Sequence, residues 1–340
     1  MRSMIRPERR AAKMDPARAL QRFPLAPPKL VDRYTRTEDV IVLCHLGVAQ
    51  LTRQAWSLSI DGEIEHRTTL CFEDLARYPK VLLASVHQCC GSPFAPFEPT
   101  RRITNVTWAG ARLIDVLADA RPTRTARYVW SYGADSGEFS GVSVNGYCKD
   151  LPLERAGRDV LLAYEMNGEP LRPEHGFPVR LVVPGFYGTN SVKWLVRMTL
   201  APDRARGPFT TRWYNDPVLD ASGEETGDVA PVWSIAPESV IVSPASREAV
   251  SLGVEREIWG WAWAEESVSR VEVYTSDDDA WRPAELEPPR GHEWQRFSVP
   301  FKPGHRGPMF LAARATTASG QRQPRAGRRN AIHGVAVMVV

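Results

Sequence analysis

Nowhere in this 340-residue chain do about 18 consecutive apolar residues occur, so no helix is expected to span a bilayer. The first 30 residues, rich in Arg, Ala and Pro, hold no apolar stretch of signal-peptide length, and a cytoplasmic protein is expected. Cysteine is sparse. Cys44, Cys71, Cys89, Cys90 and Cys148 are an odd set with no C-x-x-C spacing, which excludes a disulfide scaffold, a zinc ribbon and a dithiol redox motif. The C-x-x-C-H signature of covalent haem is also missing, and no haem is expected. Charge of one sign is lacking too: 43 Lys and Arg against 40 Asp and Glu leave +3, and many of the cations lie before residue 40 or after residue 320. A nucleic-acid partner is therefore not expected. What remains, 43% hydrophobic and 24% charged residues, is ordinary for a globular chain with room for two cores.

Residues 1–32 read as a basic, flexible tail, with structure beginning near Val40. Over 33–230, short apolar runs such as Val40–Leu43, Trp56–Ile60 and Val81–Val86 alternate with helically spaced segments at Phe72–Tyr78 and Ala111–Ala120. This predicts an α+β domain. In the second helical segment Leu113, Val116, Leu117 and Ala120 share one face, which packs on a sheet. Residues 201–230, dense in Pro, Asp, Gly and Thr, read as a long loop or linker that marks the domain boundary. Beyond it, strand-like runs at Val240–Val242, Ile258–Trp263, Val268–Tyr274, Trp294–Phe301, Pro308–Ala315 and Ala331–Val340 predict that 231–340 form an all-β, immunoglobulin-like sandwich. Trp259, Trp261 and Trp263 alternate, so three indoles share one strand face.

Two stretches can carry chemistry. Val86-His87-Gln88-Cys89-Cys90-Gly91-Ser92 places two thiols at the end of an apolar run. A thiolate there can serve a soft metal, although free cysteine is among the most buried residue types and both thiols can equally be packed. The run from Tyr164 to Gly185, followed by Ser191 to Arg197, sets His175, Arg180 and Lys193 around turns between strands, where cations and backbone amides can converge on a phosphate. Period-two alternation over Ser191–Val196 turns Val192, Trp194 and Val196 to the core and Lys193 away from it.

These stretches closely resemble the molybdopterin-binding core of the sulfite oxidase family. The resemblance runs from about Val40 to Val340, with further matches at Asn105, Trp108, Gly110 and Leu113 and, for the family's C-terminal dimerisation domain, at Asp277–Trp281 and Asn330–His333. It implies a sulfite-oxidase-type mixed α/β domain, a molybdenum–molybdopterin cofactor and a homodimer. It implies that Cys89 is the protein ligand of the metal, and that His45, His175, Arg180, Ser191, Val192 and Lys193 contact the cofactor. Tyr214 falls where the family carries an active-site tyrosine; as a residue it can donate to substrate or anchor a loop.

Departures from the pattern bear on substrate. The family's Arg-Asn-His reads Leu43-Cys44-His45 here, and its Asn-Arg-Arg reads Ser92-Pro93-Phe94, unless Arg101 or Arg102 folds back. The expectation is a molybdenum-dependent oxidoreductase that transfers an oxygen atom to or from a small substrate other than sulfite and passes electrons to a separate partner, a cytochrome or similar. The alternatives are a true sulfite dehydrogenase and a non-catalytic scaffold with a relic cofactor domain.

Overall fold

A computed structural model describes residues 21–22, 25–91, 102–220, 222–325 and 328–340. The Ser92-Pro93-Phe94 departure and Arg101 lie outside these residues, as do residues 1–20 of the expected tail.

Two five-strand groups build the first domain. One sheet runs Cys148–Pro152, Tyr128–Gly133, Leu195–Ala201, Ser57–Gly62, Thr68–Cys71, antiparallel except where Leu195–Ala201 meets Ser57–Gly62. In the other, Ile103–Arg112 lies between Lys80–Gln88 and Leu161–Met166, and Arg180–Val182 pairs with the latter. The helix Leu113–Ala120 buries Leu113, Val116, Leu117 and Ala120 in the core, the face that the spacing predicts. It begins at Leu113 rather than Ala111 because Ala111 and Arg112 are still paired to the neighbouring strand. At Gly110 a Cβ would fall 2.1 Å from the Leu162 carbonyl oxygen, so only glycine permits this strand contact.

The second domain stacks a four-stranded sheet (Glu238–Ser243, Arg256–Trp263, Gln295–Phe301, Glu285–Leu286) on a five-stranded one (Ala249–Val250, Gly334–Val339, Gly307–Thr317, Val268–Thr275, Ala280–Pro283). Ile258, Val271, Phe297, Leu311 and Val335 fill the space between them. Alternation along Arg256–Trp263 turns Ile258 and Ala262 into this core and Trp261 and Trp263 out of it, toward the first domain. There the two indoles join Val86, Cys90, Tyr187 and Trp294, with Trp261 stacked on Trp294 at 4.9 Å. The tryptophan face is thus the seam between the domains.

Three expectations need correction. The tail docks earlier than Val40: Leu30 is 3% exposed in the seam and its carbonyl accepts the Trp261 indole N–H at 2.7 Å, because an apolar residue there completes the cluster. The expected loop at 201–230 contains a helical turn, Pro208–Thr211, and an antiparallel arm, Asn215–Leu219 with Glu225–Pro231. Ser191–Lys193 are not strand. Trp194 takes a left-handed φ of 49° and the strand starts at Leu195, so simple alternation fails and Lys193 is directed inward to bond the chain at Leu43 and Glu174. No helix among the described residues is long and apolar enough to cross a membrane.

Candidate active site

Where the Lys80–Gln88 strand ends, turns at Pro173–His175 and Gly188–Asn190 and the segment after Val42–Leu43 close round a cleft. It holds about 720 Å³ of space free of atoms, its mouth included. Cys89, His45, His175, Arg180, Ser191 and Lys193 all face it. Val192 does not: its side chain is 1% exposed in the core and only its carbonyl is used, accepting from the Leu181 N–H at 2.8 Å.

The strand end decides which thiol is presented. Gln88 is clamped from the second domain, its side-chain Oε1 accepting the Trp263 indole N–H at 2.9 Å while its side-chain Nε2 donates to Glu238 at 3.2 Å and Asn330 at 2.9 Å. With Gln88 fixed, Cys89 opens onto the cleft and Cys90 is buried in the seam cluster. The Cys90 thiol, then the Gly91 N–H at 3.3 Å and the Arg102 guanidinium, hold the Cys89 thiol below the usual thiol range against the opposing effect of burial. Cys90 is displaced the other way. Arg102 therefore lies beside Cys89.

Two cations form the opposite wall. The Arg180 guanidinium donates to the carbonyls of His175 (3.1 Å) and Ser191 (3.0 Å) and lies 4.9 Å from the Trp108 ring centre. The Ser191 hydroxyl, itself accepting the Val183 N–H at 3.0 Å, fixes that turn. Lys193 donates to the carbonyls of Leu43 (2.9 Å) and Glu174 (3.0 Å). Neither cation makes an ion pair among the described residues, and burial lowers both pKa values. Gly176, at φ 103°, makes room for them: a Cβ there would fall 3.0 Å from Lys193 Cβ and 3.1 Å from Arg180 Cβ.

Histidines near these cations stay neutral. Burial first, and the cations next, push His175 down to about 3, and burial with Lys193 does the same to His45. The buried Nε2 of His175 has no hydrogen-bond partner among the described residues. The structure brings Tyr214 and His45 together, the tyrosine hydroxyl lying 2.5 Å from His45 Nε2, and Tyr214 backs the imidazole rather than lining the cleft itself.

Sequence reasoning missed His87, Asp135 and Tyr147 in the wall. His87 was legible, because residues i and i+2 of a strand share a face and His87 precedes Cys89 by two. Nothing local announces the others: Tyr147 enters from a neighbouring turn, its hydroxyl donating to the Thr189 carbonyl at 2.7 Å. Asp135 Oδ1 is buried without a hydrogen-bond partner among the described residues, and burial raises its pKa to about 6. The folded state then holds a proton that the unfolded state releases above pH 3.8, so this group's contribution is lost as pH rises through about 6. Asp135→Asn is expected to stabilise the chain at pH 7.5 by about 3 kcal/mol and to leave it nearly unchanged at pH 4. Urea melts of both proteins at the two pH values measure this.

Residues 45–209 match the family described as the oxidoreductase molybdopterin binding domain. Mitochondrial sulfite oxidase of Homo sapiens is 32% identical over 283 residues, covering 77% of this chain and 51% of that protein. The crystal structure of the sulfane dehydrogenase SoxCD from Paracoccus pantotrophus superposes with a TM-score of 0.78 at 25% identity, covering 96% of this chain and 87% of that one. The chain belongs to the sulfite oxidase family. Similarity extends to sulfite oxidase of Gallus gallus, 29% identical over 89% of this chain and 71% of that protein, and to the NADPH nitrate reductase of Fusarium oxysporum, 28% identical over 69% and 28%. This member spans about half the length of the human relative. Its fold is of the sulfite oxidase type and it carries a molybdopterin-binding domain.

Proposed function

We propose that the cleft holds a molybdenum–molybdopterin cofactor and that the chain transfers an oxygen atom to or from a small substrate. One observation carries this reading: a thiol held toward thiolate and two buried cations without carboxylate partners face a single cleft. The partnerless Nε2 of His175 fits the same group, as does Gly188, where a Cβ would crowd His87 Nε2 at 3.0 Å. When bound, the molybdenum centre supplies two-electron oxygen-atom chemistry. Cys89 holds the metal through its sulfur; Arg180, Lys193 and His175 hold the pterin phosphate, with Ser191 orienting Arg180. Molybdenum analysis after expression with cofactor supply tests the assignment. A metal-to-protein ratio near one is expected, and a ratio near zero would favour a non-catalytic scaffold.

The substrate we infer is less anionic than sulfite, such as an S-oxide, an N-oxide or an organic sulfur compound. Leu43 lines the cleft where the family pattern places arginine, and the loss of a charge-assisted contact to an oxyanion costs about 1.5 to 3 kcal/mol; Arg102 does fold back beside Cys89, but it is not among the residues that line the cleft. Tyr147 stacks on His45, and Phe139 meets it edge-on at 4.9 Å, so this side of the site is aromatic. Sulfite oxidation at ordinary enzymatic rates, with a dye or a cytochrome as acceptor, would overturn this substrate choice. Electrons are proposed to leave to a separate cytochrome-like partner, and the sandwich domain to pair two copies, in a reducing compartment such as the cytoplasm, where five cysteines that form no disulfide persist as thiols.

The proton side of the chemistry falls to Tyr214 and His45. With the imidazole neutral, one proton is shared across the 2.5 Å contact, close to the wall of the cleft. Tyr214→Phe is expected to lower turnover by roughly tenfold to a hundredfold while bound pterin is retained. Loss of the pterin in this variant would show that the hydroxyl serves the fold.

A further inference from the structure

Lys193 also touches a group that the cofactor reading leaves idle. Its Nζ lies 2.9 Å from the Cys44 sulfur, while its contacts to the Leu43 and Glu174 carbonyls keep it there. Cys44 is 1% exposed to bulk solvent, yet it forms part of the cleft wall beside Lys193. The same hollow contains the partnerless Nε2 of His175, so it is polar enough to admit water or a small peroxide. A sulfenic acid formed beside a nitrogen nucleophile condenses with it.

We propose that Cys44 and Lys193 form a reversible, oxidation-dependent covalent link that withdraws the lysine from the cleft. A peroxide transfers one oxygen atom to the Cys44 thiol, giving sulfenic acid, and is itself reduced to water or an alcohol. The Lys193 amine, having released its proton to solvent, attacks that sulfur. The S–N bond forms, the S–O bond breaks, and the departing hydroxide takes up the proton that nitrogen loses, leaving as water. In total two electrons pass from the thiol–amine pair to one peroxide. A small thiol reverses the link by supplying two electrons.

Among the described residues, Cys44 is a cysteine whose sulfur lies within hydrogen-bond distance of a lysine nitrogen. Cys71 is exposed and sits 3.0 Å from the Asp74 carboxylate, which cannot trap a sulfenic acid as an amine can. Lys193 has a four-carbon stem that can close the remaining distance, and burial eases loss of its proton. The consequence for cofactor uptake rests on the reading above: the linked nitrogen no longer carries the charge that a phosphate requires. The link itself does not rest on that reading.

The test treats the full chain, prepared without cofactor supply, with hydrogen peroxide, and follows intact mass and tryptic peptides. A species about 2 Da lighter than the reduced chain is expected, with Cys44 and Lys193 peptides joined, reversed by dithiothreitol and absent from Cys44→Ser and Lys193→Arg. Chain loaded with molybdopterin should resist, its cleft being filled. Recovery of Cys44 as sulfinic or sulfonic acid with Lys193 unmodified, or an unoxidised Cys44, overturns the proposal. Oxidised apo-chain offered molybdopterin should retain about a tenth or less of what reduced chain retains. A link that forms without changing that uptake upholds the modification and removes Lys193 from the phosphate cradle.

Discussion

Cys89→Ser is expected to lower turnover about a thousandfold, equivalent to roughly 4 kcal/mol of barrier, while Cys90→Ser changes it by less than about tenfold. The two thiols are neighbours in sequence, but only Cys89 faces the cleft; Cys90 packs in the seam with Val86 and Trp263. Serine offers a hard, protonated oxygen where a soft thiolate suits molybdenum, so the variant should lose the sulfur-to-metal absorption as well as activity. Steady-state rates with a dye acceptor, metal content and visible spectra of both variants decide the matter. Full activity in Cys89→Ser, with loss in Cys90→Ser, would move the ligand by one residue and demand a different strand end.

Arg180→Leu is expected to empty the site of pterin and to destabilise the fold by about 2 kcal/mol, because two buried carbonyls lose their donor while the burial of an unpaired cation is relieved. The guanidinium satisfies the carbonyls of His175 and Ser191, which position the turns on either side of the cleft, and it covers the Trp108 ring. Without it, two buried acceptors lose their donor, at about 1 to 3 kcal/mol each. Arg180→Lys should be intermediate, because a point charge cannot reproduce the two-carbonyl fork. Thermal melts and pterin fluorescence after acid oxidation give the two readouts separately. Undiminished pterin in Arg180→Leu would sink its assignment as a phosphate contact, whatever the melt shows.

The elements that the sequence makes legible are those set by local periodicity. Leu113, Val116, Leu117 and Ala120 fall on the buried face of a helix, and the strand runs beyond Pro231 become the two sheets of the sandwich. The alternating tryptophans were visible as one face, but not as the surface that seats the first domain. The spacing misleads where the backbone leaves the strand conformation. Trp194 at φ 49° ends the alternation that would have sent Lys193 outward, and tertiary carbonyls from Leu43 and Glu174 then draw its ammonium inside. The arm at Asn215–Pro231 was hidden by its turn-forming composition, since its pairing depends on the partner strand and not on apolar spacing.

The chain's residues by themselves determined the family motif, the thiol pair at the strand end and the identity of the basic residues, because those are matters of order along the backbone. Only the folded molecule decided which thiol opens to the cleft and which imidazoles stay neutral. It also decided that Val192 is withheld and that Cys44 rests 2.9 Å from an amine 149 positions away. Desolvation and hydrogen bonding act between groups that meet through space, and such meetings are fixed by packing rather than by sequence neighbours.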